Sequence, residues 1–171
     1  LVLGKGSPYE EDVRVPLIVS GPHVAHGIVR RRLVGNIDYA PTIADLTGIQ
    51  APDYVDGRSF AAALQSRLPA RDQARRTYLI DHWRESYTAG SAAGGVLEVP
   101  DERRSGAGVS DRSPEWHGLR MAGLKYVEYT TGEIEIYDLA TDPYELHSRA
   151  RTEAPTTRFL LHSLLAQLEQ C

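Results

Sequence analysis

Val13-Arg14-Val15-Pro16-Leu17-Ile18-Val19 is the segment that most narrows what this chain can fold into. Its apolar residues do not alternate cleanly with polar ones. A continuous apolar run of this length suits a strand covered on both faces, as in an α/β sheet. Pro16 cannot donate a ladder hydrogen bond, so it belongs near the strand start or at a non-bonded position. Gly21-Pro22 ends the run. Such a strand demands neighbours that residues 1–70 do not supply, and its exposed edge beside Val15–Val19 would be an aggregation hazard. The chain also opens at Leu1 rather than an initiator Met. The expectation is a C-terminal fragment of a longer protein, with residues 1–70 forming the end of a large α/β domain.

Beyond that strand, Leu33-Val34 reads as a short extended piece. Asn36-Ile37-Asp38 offers capping side chains, and Tyr39 to Thr47 reads as a helix with Pro41 in its first turn. Asp38 is the expected N-cap. Tyr39, Ala40, Ile43 and Leu46 give this helix one apolar face, and Gly48 is its natural stop. Asp56-Gly57 marks a turn, and Ser59 can cap a short helix through Phe60–Leu64. Leu68 to Arg76 is polar and linker-like. Residues 75–171 read as a smaller α+β domain. Thr77–Asp81 is a strand, and residues 86–114, rich in Gly, Ala and Ser, carry too little apolar material to offset ordering entropy, which predicts a long mobile loop. Leu119–Met121, Leu124–Tyr129 and Ile134–Leu139 then read as three strands joined by tight turns, hence antiparallel hairpins. Asp142-Pro143 is another turn. After Pro155 a helix with Leu161, Leu164, Leu165 and Leu168 on one stripe is expected to pack on the small sheet.

The 171 residues carry a formal net charge of −4, with 25% charged and 42% hydrophobic residues. That is globular composition. It lacks the basic balance of a nucleic-acid binder, and Arg30-Arg31-Arg32 and Arg103-Arg104 read as solvated turns. No stretch approaches the ~20 apolar residues of a membrane-spanning helix. Cys171 is the single cysteine, which excludes an internal disulfide and a cysteine-based metal site.

Lys5 is the first candidate for chemistry. It stands in Gly4-Lys5-Gly6-Ser7-Pro8, and a lysine on such a loop offers three donors from a compact positive charge. That suits a sulfate or phosphate oxygen and the charge that builds as an S–O or P–O bond breaks. A solvent-exposed loop lysine is the plain alternative. The spacing is not that of a Walker A loop. Glu10, Glu11 and Asp12 read as a capping and salt-bridging turn, with Arg14 as one partner. His82-Trp83, and His117 beside Trp116, can line a sugar cleft through ring stacking or form the rim of a core. His23 and His26 lie close together without further ligands nearby in sequence. None of these residues is read as a metal ligand.

Four segments in order carry a resemblance. They are Gly4-Lys5 with Tyr9-Glu10-Glu11 and Arg14-Val15-Pro16-Leu17; Asn36-Ile37-Asp38-Tyr39-Ala40-Pro41-Thr42; Asp56-Gly57-Arg58-Ser59-Phe60; and Tyr137-Asp138-Leu139 with Asp142-Pro143-Tyr144-Glu145, preceded by Leu119-Arg120 and Lys125-Tyr126. Together they resemble the formylglycine-dependent sulfatases of the alkaline phosphatase superfamily, over residues 4–65 and about 118–150. The asparagine usual after the last turn is replaced by His147-Ser148.

The resemblance implies an alkaline-phosphatase-like fold, here the end of the large α/β domain plus a small antiparallel sheet with a packed helix. It implies a parent enzyme that hydrolyses sulfate esters or sulfamates of a sulfated small molecule or sugar, and it makes Lys5 the sulfate-contacting lysine. It implies calcium and formylglycine in the parent. The C/S-x-P-x-R motif that yields formylglycine is not in this sequence, nor is an acidic metal cluster, so the chain alone is expected to be inactive. A phosphodiesterase or phosphonate hydrolase of the same superfamily, or a non-catalytic binding module, are the alternatives. The compartment stays open, with a periplasmic or secreted parent as the expectation.

Overall fold

The computed structural model describes residues 6–65, 77–83 and 114–170. Its centre is a four-stranded antiparallel meander in the order β1-β2-β3-β4, with β1 Thr77–His82, β2 Trp116–Met121, β3 Leu124–Tyr129 and β4 Ile134–Asp138. The register sets His82 opposite Trp116, Arg120 opposite Lys125, and Lys125 opposite Tyr137. The β3–β4 turn uses Gly132 at φ 90°, a conformation that glycine adopts at little cost.

Because side chains alternate across a strand, this register divides the sheet into two faces. Leu119, Tyr126 and Ile136 face the C-terminal helix α4, Pro155–Leu168, and form the buried core with Leu161 and Leu165. Leu164 and Leu168 pack at its margin. The leucine stripe thus lies where the sequence places it. Each of the two buried leucines contributes roughly 1.5–3 kcal/mol by leaving water.

The opposite face carries Tyr78, His82, Trp116, Arg120, Lys125 and Tyr137. It receives the N-terminal segment, residues 6–65, which holds the short helix α1 (Glu10–Val13), α2 (Tyr39–Thr47) and α3 (Ala61–Gln65). A 3-10 turn at Asn36–Asp38 leads into α2. That helix ends at Gly48, whose φ of 74° lets its N–H return to the last turn while the Ile49 N–H reaches the Ala44 carbonyl. This is the glycine stop expected from sequence. Ser59 Oγ accepts the Ala61 N–H at the start of α3 and donates to the Asp45 carboxylate at 2.6 Å.

Three expectations change. Val13–Val19 is not a strand: Val13 ends α1, Arg14 after it is extended, and none of these residues pairs with a strand among the described residues. Val15 is 58% and Ile18 90% exposed. A strand ladder needs a neighbour for its N–H and C=O groups, and the described part of this chain offers none. The apolar face of α2 is uncovered for the same reason, with Ile43 and Leu46 exposed while Pro41 and Thr42 are buried. Asp38 is not a side-chain N-cap, since its carboxylate is committed elsewhere. The linker over residues 68–76 lies outside the described residues, as does the loop over 86–114 apart from Pro114.

Candidate functional site

Lys5 lies outside the described residues, but the peptide that follows it does not. The Asp12 carboxylate accepts the Gly6 N–H at 3.3 Å, the Ser7 N–H at 2.9 Å and the Ser7 hydroxyl at 2.6 Å. From the sheet, the buried Trp116 indole N–H donates to the Gly6 carbonyl at 2.8 Å. Both amides and the Gly6 carbonyl are thereby fixed, by one acid six residues after Gly6 and one strand 110 residues after it.

A four-charge cluster lies beneath this loop. Glu10 takes a two-pronged grip from Arg120, Nε to Oε1 at 2.8 Å and Nη2 to Oε2 at 2.9 Å. Lys125 Nζ lies 3.0 Å from Glu10 Oε1 and 2.6 Å from Glu145 Oε1, and it donates to the Pro8 carbonyl at 2.6 Å. Glu145 Oε2 accepts the Glu10 N–H at 2.6 Å. The Lys125 side chain is 0% exposed. Two cations and two carboxylates balance, as a buried charge requires. Burial pushes the Glu10 carboxyl up, but hydrogen bonds and charge from Arg120 and Lys125 outweigh it and leave the group below its ordinary range. Glu145 adopts φ 56°, uncommon for a residue with a side chain. It stands at the end of the Asp142-Pro143-Tyr144-Glu145 turn. There the Asp142 carboxylate accepts the Leu146 and His147 N–H groups at 3.1 and 2.8 Å. Backbone donors close this turn, so it needs no side-chain donor from His147.

Asp38 forms a second junction. It is 3% exposed, and its carboxylate accepts the Gly35 N–H at 3.1 Å, the Arg58 N–H at 2.8 Å and the Tyr78 hydroxyl. Thr42 Oγ1 donates to the Asp38 carbonyl at 2.6 Å and accepts the Phe60 N–H at 3.0 Å. The two motifs at 36–42 and 56–60 are thus tied to each other and to β1. Gly57 allows the approach: a Cβ there would stand 1.9 Å from the Ile37 carbonyl oxygen.

The remaining candidates divide between the sheet faces. The His82 ring stacks on Trp116, centroids 6.1 Å apart, on the side of the lysine loop. Trp83 meets His117 edge-on at 4.8 Å, and His117 Nδ1 lies 3.3 Å from the Glu169 carboxylate just after α4, on the other side. The acidic turn also resolves: Glu10 pairs with Arg120 and Lys125 rather than with Arg14, and Asp12 holds the loop. Arg120 and Lys125 were not singled out as functional from sequence. Two like charges directly opposite on one sheet face are unfavourable without compensation, so the pair signalled that carboxylates had to arrive from elsewhere.

Among the described residues no group of three or more His, Cys, Asp or Glu side chains is arranged to hold a metal ion, His23 and His26 included. The nearby carboxylates are committed to cations and backbone amides. These residues therefore do not fit the calcium that the resemblance implies.

The N-sulphoglucosamine sulphohydrolase C-terminal family matches residues 3–93. The chain belongs to the sulfatase family. Among sulfatases it is 38% identical over 106 residues to the extracellular sulfatase SULF-1 homolog of Drosophila melanogaster, covering 61% of this chain and 10% of that protein. It is 30% identical over 188 residues to the N-acetylglucosamine-6-sulfatase of Bos taurus, covering 100% of this chain and 32% of that one. The structure of a 2-O GAG sulfatase shares the fold with a TM-score of 0.67 at 23% identity, over 96% of this chain and 30% of that one. The chain thus spans at most about a third of the sulfatases it matches.

Proposed function

We propose that this chain supplies the sulfate-contacting lysine, Lys5, and the sheet that supports it, to a sulfatase that hydrolyses sulfate esters of a sulfated sugar. The observation that carries the reading is the fixing of Gly6 and Ser7 by Asp12 and Trp116. The backbone of Gly6 and Ser7 is thus already ordered before any ligand arrives. The Lys5 ammonium would then donate to a sulfate oxygen and stabilise the charge that grows as the S–O bond breaks. The family named for N-sulphoglucosamine and the relative named N-acetylglucosamine-6-sulfatase support an amino-sugar substrate. His82, on the loop's face of the sheet, would line the sugar cleft; Trp83 and His117, on the opposite face, are given no part in it. A formylglycine nucleophile and a calcium ion would come from other parts of the parent enzyme. The relative named extracellular supports a secreted or periplasmic parent.

The test is turnover by the parent enzyme of glucosamine 6-sulfate and of the matching phosphate ester, with and without Lys5→Ala. The substitution is expected to lower the sulfate rate roughly 10²–10³-fold, as for loss of one oxyanion donor. An unchanged rate sinks the assignment of Lys5. A phosphate rate above the sulfate rate makes the parent a phosphoester hydrolase instead. The 171-residue chain alone is expected to turn over neither.

A further inference from the structure

A groove of about 400 Å³ opens where the first turns of α4 meet the end of β3 and the start of β4. That volume falls within the range of about 300–1,000 Å³ usual for ligand sites. From α4 come Arg158, Phe159 and His162. Their three- and four-residue spacings to His162 set them on one side of the helix, while Leu161 and Leu165 take the side turned to the core. From the sheet come Tyr126, Glu128 and Ile134. The Phe159 side chain is left 69% exposed. Arg158 is partly exposed, and among the described residues its guanidinium has no carboxylate or hydrogen-bond partner. Its charge opposes the rise in the Tyr126 phenol pKa that burial and Glu128 cause, so it acts on the groove's floor. Glu128 is engaged through one oxygen: Oε1 accepts the Tyr126 hydroxyl and lies 2.7 Å from His162 Nδ1. Among the described residues, Glu128 Oε2 and His162 Nε2 are left for a ligand.

We propose that this groove is a binding site for a sulfated sugar unit. Each surface of such a unit has a counterpart in it. The Arg158 guanidinium, a planar fork of donors, suits a sulfate group. The exposed Phe159 ring can pack on the C–H face of the sugar ring. Glu128 Oε2 and His162 Nε2 can bond to its hydroxyls. An acidic peptide would satisfy Arg158 but offers few hydroxyls to the Glu128–His162 pair, so the sugar fits better. The ligand class rests on the sulfated-sugar reading given above, whereas the groove involves neither Lys5 nor the loop around it. Groove and loop lie on opposite faces of the sheet, so one sugar unit does not meet both.

The experiment is calorimetric titration of the 171-residue chain with a heparin-derived tetrasaccharide, its fully desulfated form and a tetraglutamate peptide. Arg158→Gln and Phe159→Ala are titrated beside the unsubstituted chain, with thermal melting to confirm that both fold. The sulfated tetrasaccharide is expected to bind. Arg158→Gln should weaken it roughly 10-fold or more, as for loss of a hydrogen bond to a charged group, and Phe159→Ala roughly 3- to 10-fold. The desulfated form should bind at least about 10-fold more weakly than the sulfated one, and the peptide more weakly still. Absence of binding at millimolar tetrasaccharide overturns the proposal. So does binding that neither substitution changes, or equal binding of the desulfated form. A peptide that binds as tightly as the sulfated sugar makes the groove a peptide site instead. Turnover of glucosamine 6-sulfate by the parent enzyme separates the two readings: turnover without groove binding removes the groove alone, and groove binding without turnover removes the substrate reading alone.

Discussion

Lys125 and Glu145 face each other at 2.6 Å with no exposed surface on either side chain. One comes from the middle of the small sheet and the other from the turn after it, and Glu10 joins them from the start of α1. The cluster ties together three segments that are distant in sequence, so its energetics report on the whole junction.

Removing the cation should expose that role. Lys125→Met keeps the length of the side chain but leaves Glu145 buried without its charge partner. Breaking a buried pair from one side costs about 3–5 kcal/mol. Urea unfolding of the purified chain should show a loss of that order, with a smaller loss for Arg120→Met, which leaves Lys125 in place. A loss under about 1 kcal/mol for Lys125→Met would contradict a compensated buried cluster.

Acid should loosen the same junction through Glu10. Its carboxyl is held below the ordinary glutamate range in the folded chain, burial being outweighed by Arg120 and Lys125. A group with a depressed folded pKa stabilises fully above its unfolded value of about 4.3 and loses that contribution as pH falls through the folded value. The urea midpoint should therefore fall as the solution is acidified below about pH 5. Glu10→Gln should lower the midpoint at neutral pH and flatten its acid dependence. An equally steep acid dependence in Glu10→Gln would assign the effect to other carboxylates.

Asp38 offers a graded series. Asp38→Ala strands the Gly35 and Arg58 N–H groups and the Tyr78 hydroxyl, and buried unpaired donors cost about 1–3 kcal/mol each. Tyr78→Phe removes one donor and leaves the carboxylate two others, so about 1 kcal/mol is expected. Melting of both variants checks the order, and an equal or larger loss in Tyr78→Phe would show that the ring, packed against Gly35, matters more than its hydroxyl.

Much of the local structure was legible in the sequence. The strand pattern, the tight turns, the leucine stripe of α4 and the glycine stop at Gly48 all depend on residues within one or two turns of each other, where periodicity and φ preference are decisive. The order of four motifs also carried the family, because each occupies a fixed place in the chain. The proposed role of Lys5 came from the same motif and not from any local physical signal, since a loop lysine alone is commonplace.

What the amino-acid order determined by itself was therefore local: which segments pair, turn or coil, and which family they belong to. Tertiary structure decided the partners. Glu10 meets Arg120 across 110 residues, Asp38 serves a tyrosine 40 residues on rather than its own helix, and Trp116 reaches back to Gly6. Such choices depend on which faces the sheet brings opposite the loop, and a side chain's charge does not encode the distance to its partner. Val13–Val19 shows the converse. Its apolar run states a preference for burial, but a strand exists only where a neighbour accepts its hydrogen bonds, and that condition lies outside the run itself.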